Sequence, residues 1–284
     1  MKWTGNRSGN LDDRRGMGGG GMAVGGGLGT LIIAAIVFFL GGDPSAILNS
    51  GISSGAAPTE QRELNTEEKQ VGEFMSMLVA ENELTWEKIF AENGMQYQAP
   101  KVVLFEQVTQ SGCGTAQSAM GPFYCPADQT IYMDLAFFNE LRTRFGAKGG
   151  DFAIAYVLAH EVGHHVQTLL GTTGKVDQLR RSGRYGETEM NAVSVATELQ
   201  ADFYAGLWAK KTDQRAGVLE PGDIDEAISA AEAVGDDMIQ KRSQGYVNQE
   251  SFTHGSAAQR KEWFMKGYNT GDIRQGDTFN ALLR

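Results

Sequence analysis

One short stretch limits what this chain can be more than any other: His160-Glu161-Val162-Gly163-His164-His165. It holds three of the four histidines and fits the spacing His-Glu-x-x-His. On a helix, residues four apart share a face, so His160 and His164 can close on a single metal ion. Two neutral imidazoles suit a borderline-soft divalent ion such as Zn2+. Glu161, one step round the helix, is placed to take a proton from water at the open coordination position. The competing reading is a buried helix whose histidines are hydrogen-bonded one by one. Two adjacent polar pairs in so apolar a helix are expensive without a metal.

The flanks predict that helix. Asp151 after Gly149-Gly150 is a good N-cap, Gly171 ends the segment, and the residues between are apolar almost all round. His165 points about 100° away from His164 and cannot be a third ligand from the same helix; it is assigned to supporting or surface contacts. A second long helix is predicted over about Glu187–Lys210, with an apolar stripe of Ala192, Val195, Ala196, Leu199 and Phe203. Asp202 falls inside that stripe and Glu198 on its edge. A carboxylate turned toward a core needs a partner. The metal supplies one: Glu198 as third ligand, with Asp202 orienting a ligand histidine through its far ring nitrogen. The remaining histidine, His254, precedes a capping box at Ser256 and Gln259. It is read either as a loop residue or as a donor to a developing oxyanion, with Tyr185 and Tyr204 as rival donors.

The N-terminal quarter has a different character. Residues 1–21 are polar and Gly-rich and predict no core of their own. Residues 22–42 carry no charge, and as a helix would reach about 31 Å, enough to cross a bilayer. Lys2, Arg7, Arg14 and Arg15 precede this span, and no Lys or Arg follows before Arg62. The positive-inside tendency therefore keeps residues 1–21 in the cytoplasm and sends the rest across. A cleaved signal peptide, with Ser54-Gly55-Ala56-Ala57 as its site, and a twin-arginine signal at Arg14-Arg15 are the alternatives. All three readings export the same domain. Residues 43–64 read as a flexible linker, and 65–284 as one domain. In an exported domain Cys113 and Cys125 are read as a local disulfide, against two separate buried thiols. The net charge of −10 argues against nucleic acid as a partner, since phosphate binding needs a basic face.

Within the domain the pattern predicts a helix from near Thr66, a shorter one over about Glu83–Glu92, and a buried strand at Val102–Phe105. A cysteine loop from Gly112 to Pro126, a strand at Gln129–Asp134 and a short helix at Phe137–Phe145 follow. Residues 171–186 read as a loop or lid. Asp223 opens a helix to Val234, and the capping box opens a last one carrying Trp263, Phe264 and Tyr268.

Taken together, these motifs resemble the neutral zinc metallopeptidase family of bacterial proteins, related by motif to the glutamate-ligand zincins. The likeness covers nearly the whole chain. It runs from Met1-Lys2-Trp3 and Leu11-Asp12-Asp13-Arg14-Arg15 through Phe123-Tyr124-Cys125-Pro126, His160–His165 and Glu198–Asp202, to Leu219–Asp223 and Phe252–Ser256. The resemblance implies an α+β, zincin-like domain, mostly helical with a small sheet, behind one N-terminal transmembrane helix. It implies a zinc peptidase, with an edge strand that pairs with extended substrate. The expected protein is a zinc endopeptidase anchored in the bacterial inner membrane, its domain on the periplasmic or extracellular side. His160, His164 and Glu198 would bind Zn2+, Glu161 and His254 would be catalytic, and a peptide or protein would be the substrate. A zinc-dependent binding or quality-control module with little turnover is the alternative.

Overall fold

The computed structural model describes residues 1–16 and 62–283. The expected span at 22–42 and nearly all of the expected linker lie outside them. Among the described residues no helix is long and apolar enough to cross a membrane. The architecture is α+β, mostly helical with a small sheet, as the sequence leads one to expect.

Six short strands are present among the described residues: β1 (Leu11–Asp13), β2 (Lys101–Phe105), β3 (Val108–Ser111), β4 (Gly114–Gln117), β5 (Phe123–Cys125) and β6 (Thr130–Asp134). The main sheet has the order β1-β2-β6-β5, with β1, β2 and β6 parallel and β5 antiparallel at the edge. Alternate side chains go to opposite faces of a strand. Val102, Leu104, Ile131 and Met133 therefore enter the helical core, while Val103, Phe105 and Tyr132 pack with Cys125 and Ala116 on the other face. Burial on both faces explains the unbroken apolar run in β2. The β3–β4 hairpin is tied to β5 by a disulfide between Cys113 and Cys125.

Among the described residues the helices are α1 (Thr66–Glu92), α2 (Ala136–Thr143), α3 (Asp151–Leu169), α4 (Thr172–Ser182), α5 (Glu187–Ala216), α6 (Asp223–Ala233), α7 (Asp236–Gln244), α8 (Ala257–Thr270) and α9 (Thr278–Leu282). The long helix α5 is the spine, packing on α8 and on the metal-motif helix α3. Two glycines set its closest approach. A Cβ at Gly206 would lie 1.9 Å from the Phe264 carbonyl oxygen, and one at Gly267 would lie 2.0 Å from that of Phe203. Only hydrogen at both positions lets these backbones cross so tightly.

Several local expectations change. The first helix starts at Thr66, but its cap is Asn65, in a capping box with Glu68. It also runs unbroken to Glu92, because Glu81 and Asn82 are buried polar residues of the helix and not a break. Asn82 returns its amide to the Leu78 carbonyl at 3.0 Å. The cysteine loop contains β4 and β5, paired with their sequence neighbours β3 and β6. Most of 171–186 is helix α4. Helix α5 continues six residues past Lys210, and α7 was not anticipated. Asp151 is the first residue of α3 and caps nothing; the Phe152 N–H is capped from α6 by the Glu226 carboxylate at 3.0 Å.

The largest correction is at the N-terminus. Residues 1–16 are not a coreless tail. The Met1 side chain is buried, and the Lys2 N–H donates to the Val218 carbonyl at 2.8 Å. Trp3 stacks on Phe74 at 5.1 Å. Beyond it every second residue turns toward α1: Thr4 and Asn6 bond Glu81, and Ser8 and Asn10 bond Glu83. The segment then enters the sheet as β1. A composition average over the Gly-rich stretch hides this period-two row of hydrogen-bonding side chains, whose partners lie some seventy residues on.

Candidate metal centre

The two long helices α3 and α5 bring the candidate metal-ligating side chains together. Gly163, inside the histidine motif, sits where a Cβ would lie 2.9 Å from the Ala201 carbonyl oxygen. The missing side chain lets α5 approach α3 closely enough for Glu198 to reach both imidazoles. His160 Nε2 is 3.2 Å from Glu198 Oε2, and His164 Nε2 is 3.5 Å from Glu198 Oε1. One donor atom from each of His160, His164 and Glu198 lies within 4.8 Å of the others. Two donors each about 2.1 Å from a tetrahedral zinc ion stand about 3.4 Å apart, so the donor set fits that ion.

The far nitrogen of each imidazole is also engaged. His160 Nδ1 lies 2.9 Å from Asp202 Oδ1, and His164 Nδ1 lies 2.9 Å from Gln167 Oε1. Both partners accept, so each Nδ1 carries a proton and Nε2 is the nitrogen that would face a metal ion. Gln167 is itself fixed, donating to the Thr197 carbonyl at 2.7 Å. Asp202 is fully buried and takes two further donors, the Tyr156 hydroxyl at 2.5 Å and the fork of Arg260 at 2.8 and 3.0 Å. Such a bidentate pair is geometrically demanding.

The electrostatics follow from this packing. Burial alone would depress the His160 ring, but the carboxylates of Asp202 and Glu198 outweigh it and push the imidazole up to about 10. Burial would raise Asp202, yet Arg260 and then His160 bring it down to about 2. Glu198 is held well below the usual carboxylate range because the two imidazoles overcome its desolvation. Glu161 goes the other way: desolvation raises it, and the imidazoles offset only part of that rise. The backbone N–H of Tyr124, on edge strand β5, reaches the Glu161 carboxylate.

These groups form the floor of a cleft of about 990 Å³. Its walls come from β5 with the hairpin tip and from α4 and α7. Phe123, Phe137, Leu141, Val157, Val176 and Ile239 give it a mainly apolar lining. His254 also lines the cleft. Its Nδ1 is 3.3 Å from Asp236 Oδ1, and Asp236 Oδ2 accepts the backbone N–H groups of Thr253, His254 and Gly255 at 2.6–3.0 Å. Of the rival donors, Tyr204 is buried against Trp86 and Phe203, and Tyr185 is exposed; neither lines the cleft. His165 is fully buried, with Nε2 2.6 Å from the Gln98 carbonyl and Nδ1 3.1 Å from the Tyr124 hydroxyl. It fastens α3 to β5 and is no surface residue.

Tyr156, Gln167, Arg260 and Asp236 escape a reading of the sequence. Tyr156 had a signal, lying one turn before His160 on the same face, but passes for a core aromatic. Arg260 had none, because its meeting with Asp202 is a fact of helix packing alone.

Over residues 1–279 the chain matches the family described as "Putative neutral zinc metallopeptidase". It is similar along its full length to the protein of Escherichia coli strain K12 named "Uncharacterized protein YpfJ", at 44% identity with all of both chains covered. It is also 49% identical over 194 residues to "Uncharacterized protein Mb2605" of Mycobacterium bovis, a match that covers 65% of this chain and 64% of that one. No solved structure matches.

Proposed function

This chain belongs to the neutral zinc metallopeptidase family, and from that premise we propose that it is a zinc endopeptidase working outside the cytoplasm. The observation that carries this reading is the donor trio His160, His164 and Glu198 on the floor of a peptide-sized cleft, with Glu161 beside it. Zinc, when bound there, supplies Lewis acidity for the scissile carbonyl and makes water easier to deprotonate.

The chain's own residues do the rest. Extended substrate lies along β5, which ends the sheet and can accept one more strand through backbone hydrogen bonds. Glu161, raised by desolvation, takes a proton from the attacking water. The water oxygen joins the carbonyl carbon, the C–N bond breaks, and Glu161 passes the proton to the leaving amine. His254, aligned by Asp236, donates toward the oxyanion. Asp202 and Gln167 hold the two ligand imidazoles in register. The Cys113–Cys125 bond supports an oxidising compartment.

The test is Glu161→Gln. Zinc content stays stoichiometric while cleavage of an unfolded protein substrate falls by about 10²–10⁴-fold. Undiminished cleavage sinks the mechanism. A zinc-loaded wild type that binds substrate without cutting it points to the binding-module alternative.

A further inference from the structure

The first sixteen residues and the metal domain form one folded body, and that constrains where each can be. The strand β1 lies parallel to β2, with Leu11, Asp12 and Asp13 opposite Val102, Val103 and Leu104. The ladder continues at both ends, with Val102 N–H donating to the Asn10 carbonyl at 2.9 Å and Arg14 N–H to the Leu104 carbonyl at 2.8 Å. Of the four cations that the positive-inside tendency counts before the apolar stretch, three are used inside the fold. Arg7 pairs with Glu73, Arg14 with Asp12, and the buried Arg15 with Asp13. Arg15 also donates to the Glu68 carbonyl at 2.9 Å, fastening β1 to the first turn of α1.

Where this segment ends, the chain also resumes. The Arg62 N–H donates to the Gly16 carbonyl at 3.0 Å, and a Cβ on Gly16 would lie 2.5 Å from the Arg62 carbonyl oxygen. Gly16 N–H and the Arg62 side chain both meet the Glu106 carboxylate at the end of β2. Two points in hydrogen-bond contact cannot stand on opposite faces of a hydrocarbon layer about 30 Å thick.

We infer that residues 1–16 share one side of the membrane with the metal centre in the folded protein. This replaces the cytoplasmic placement of residues 1–21 and does not depend on whether the domain cuts peptides.

Thiol labelling tests this in the full chain. Gly5, Gly9 and Gly174 are exposed, and a Cβ at each meets nothing within 4 Å, so Gly5→Cys, Gly9→Cys and Gly174→Cys are compatible with the fold. Cells whose outer membrane has been permeabilised are treated with a membrane-impermeant maleimide before and after lysis. The expected result is that all three positions behave alike, reacting before lysis in an exported domain or only after lysis in an internal one. Labelling of Gly174→Cys before lysis with Gly5→Cys and Gly9→Cys protected until lysis overturns the inference. A second measurement uses Ser8→Cys with Ser76→Cys, positions whose backbones are bonded at 3.2 Å. Oxidation in the same cells yields tryptic peptides joined between the two positions; their absence overturns the inference as well.

Discussion

The N-terminal strap and the metal centre are both held by polar contacts, yet they are built on opposite plans. Around Asp202, one fully buried carboxylate serves Tyr156, His160 and Arg260 at once. Along α1, residues 4–10 hang from a row of three carboxylates: Thr4 and Asn6 share the buried Glu81, Ser8 and Asn10 share the half-buried Glu83, and Arg7 pairs with the exposed Glu73. A buried network concentrates its energy, because removing one member strands a charge away from water. A strap distributes it, because water can replace each lost bond. The first plan suits a site that must hold ligands to fractions of an ångström. The second suits a long segment that need only stay docked.

Three substitutions would sharpen or break that contrast, and the largest effect is expected at Arg260. Arg260→Leu leaves Asp202 buried without its main counter-charge and should cost about 3–5 kcal/mol in urea unfolding of the metal-free protein. Zinc should recover part of that loss by charging the ligand set. A cost below about 1 kcal/mol would mean that His160 and Tyr156 alone satisfy Asp202.

An intermediate case is Asp236, which is half network and half cap. Asp236→Asn should cost about 1–3 kcal/mol at neutral pH, since three backbone N–H groups and His254 lose a charged acceptor. The pair with His254 and these N–H groups outweighs burial and lowers the Asp236 carboxyl from its usual 3.8. A depressed folded value means the stabilisation is fully present above the unfolded value and is lost as pH falls through the folded one. The gap between wild type and variant in chemical unfolding should therefore be widest near neutrality and close as the solution is made acidic. A gap that widens in acid would contradict the assignment.

At the small end stands Thr4→Ala in the strap. One hydrogen bond to Glu81 is lost, worth about 0.5–1.5 kcal/mol, with Asn6 still holding the same oxygen. Differential scanning calorimetry of the two proteins measures it. A loss as large as that of Arg260→Leu would show the strap to be a cooperative part of the core.

These differences also explain what could be read in advance. His160, His164, Glu198 and Asp202 were legible because each pair sits one helical turn apart, and helical geometry turns sequence spacing into a shared face. The capping box at Ser256 and the strands at Val102–Phe105 and Thr130–Asp134 were legible for the same local reason. The continuous α1 was obscured by Glu81 and Asn82, whose polarity looks like a surface break until Arg215 and the Leu78 carbonyl are seen to receive them. Strands β1, β4 and β5 are three or four residues long, and their partners are chosen by register, not by their own composition.

Residue type and spacing thus marked out the candidate zinc donors: two imidazoles and a carboxylate on two helices, with a second carboxylate behind them. Those are consequences of side-chain type and the 3.6-residue turn, which act over a few residues. It is the packing of distant elements that sets Arg260 against Asp202, aligns His254 with Asp236, and puts Leu11–Asp13 in the sheet beside β2. Each of those contacts joins residues at least 18 positions apart, and the local sequence around either one does not name its partner.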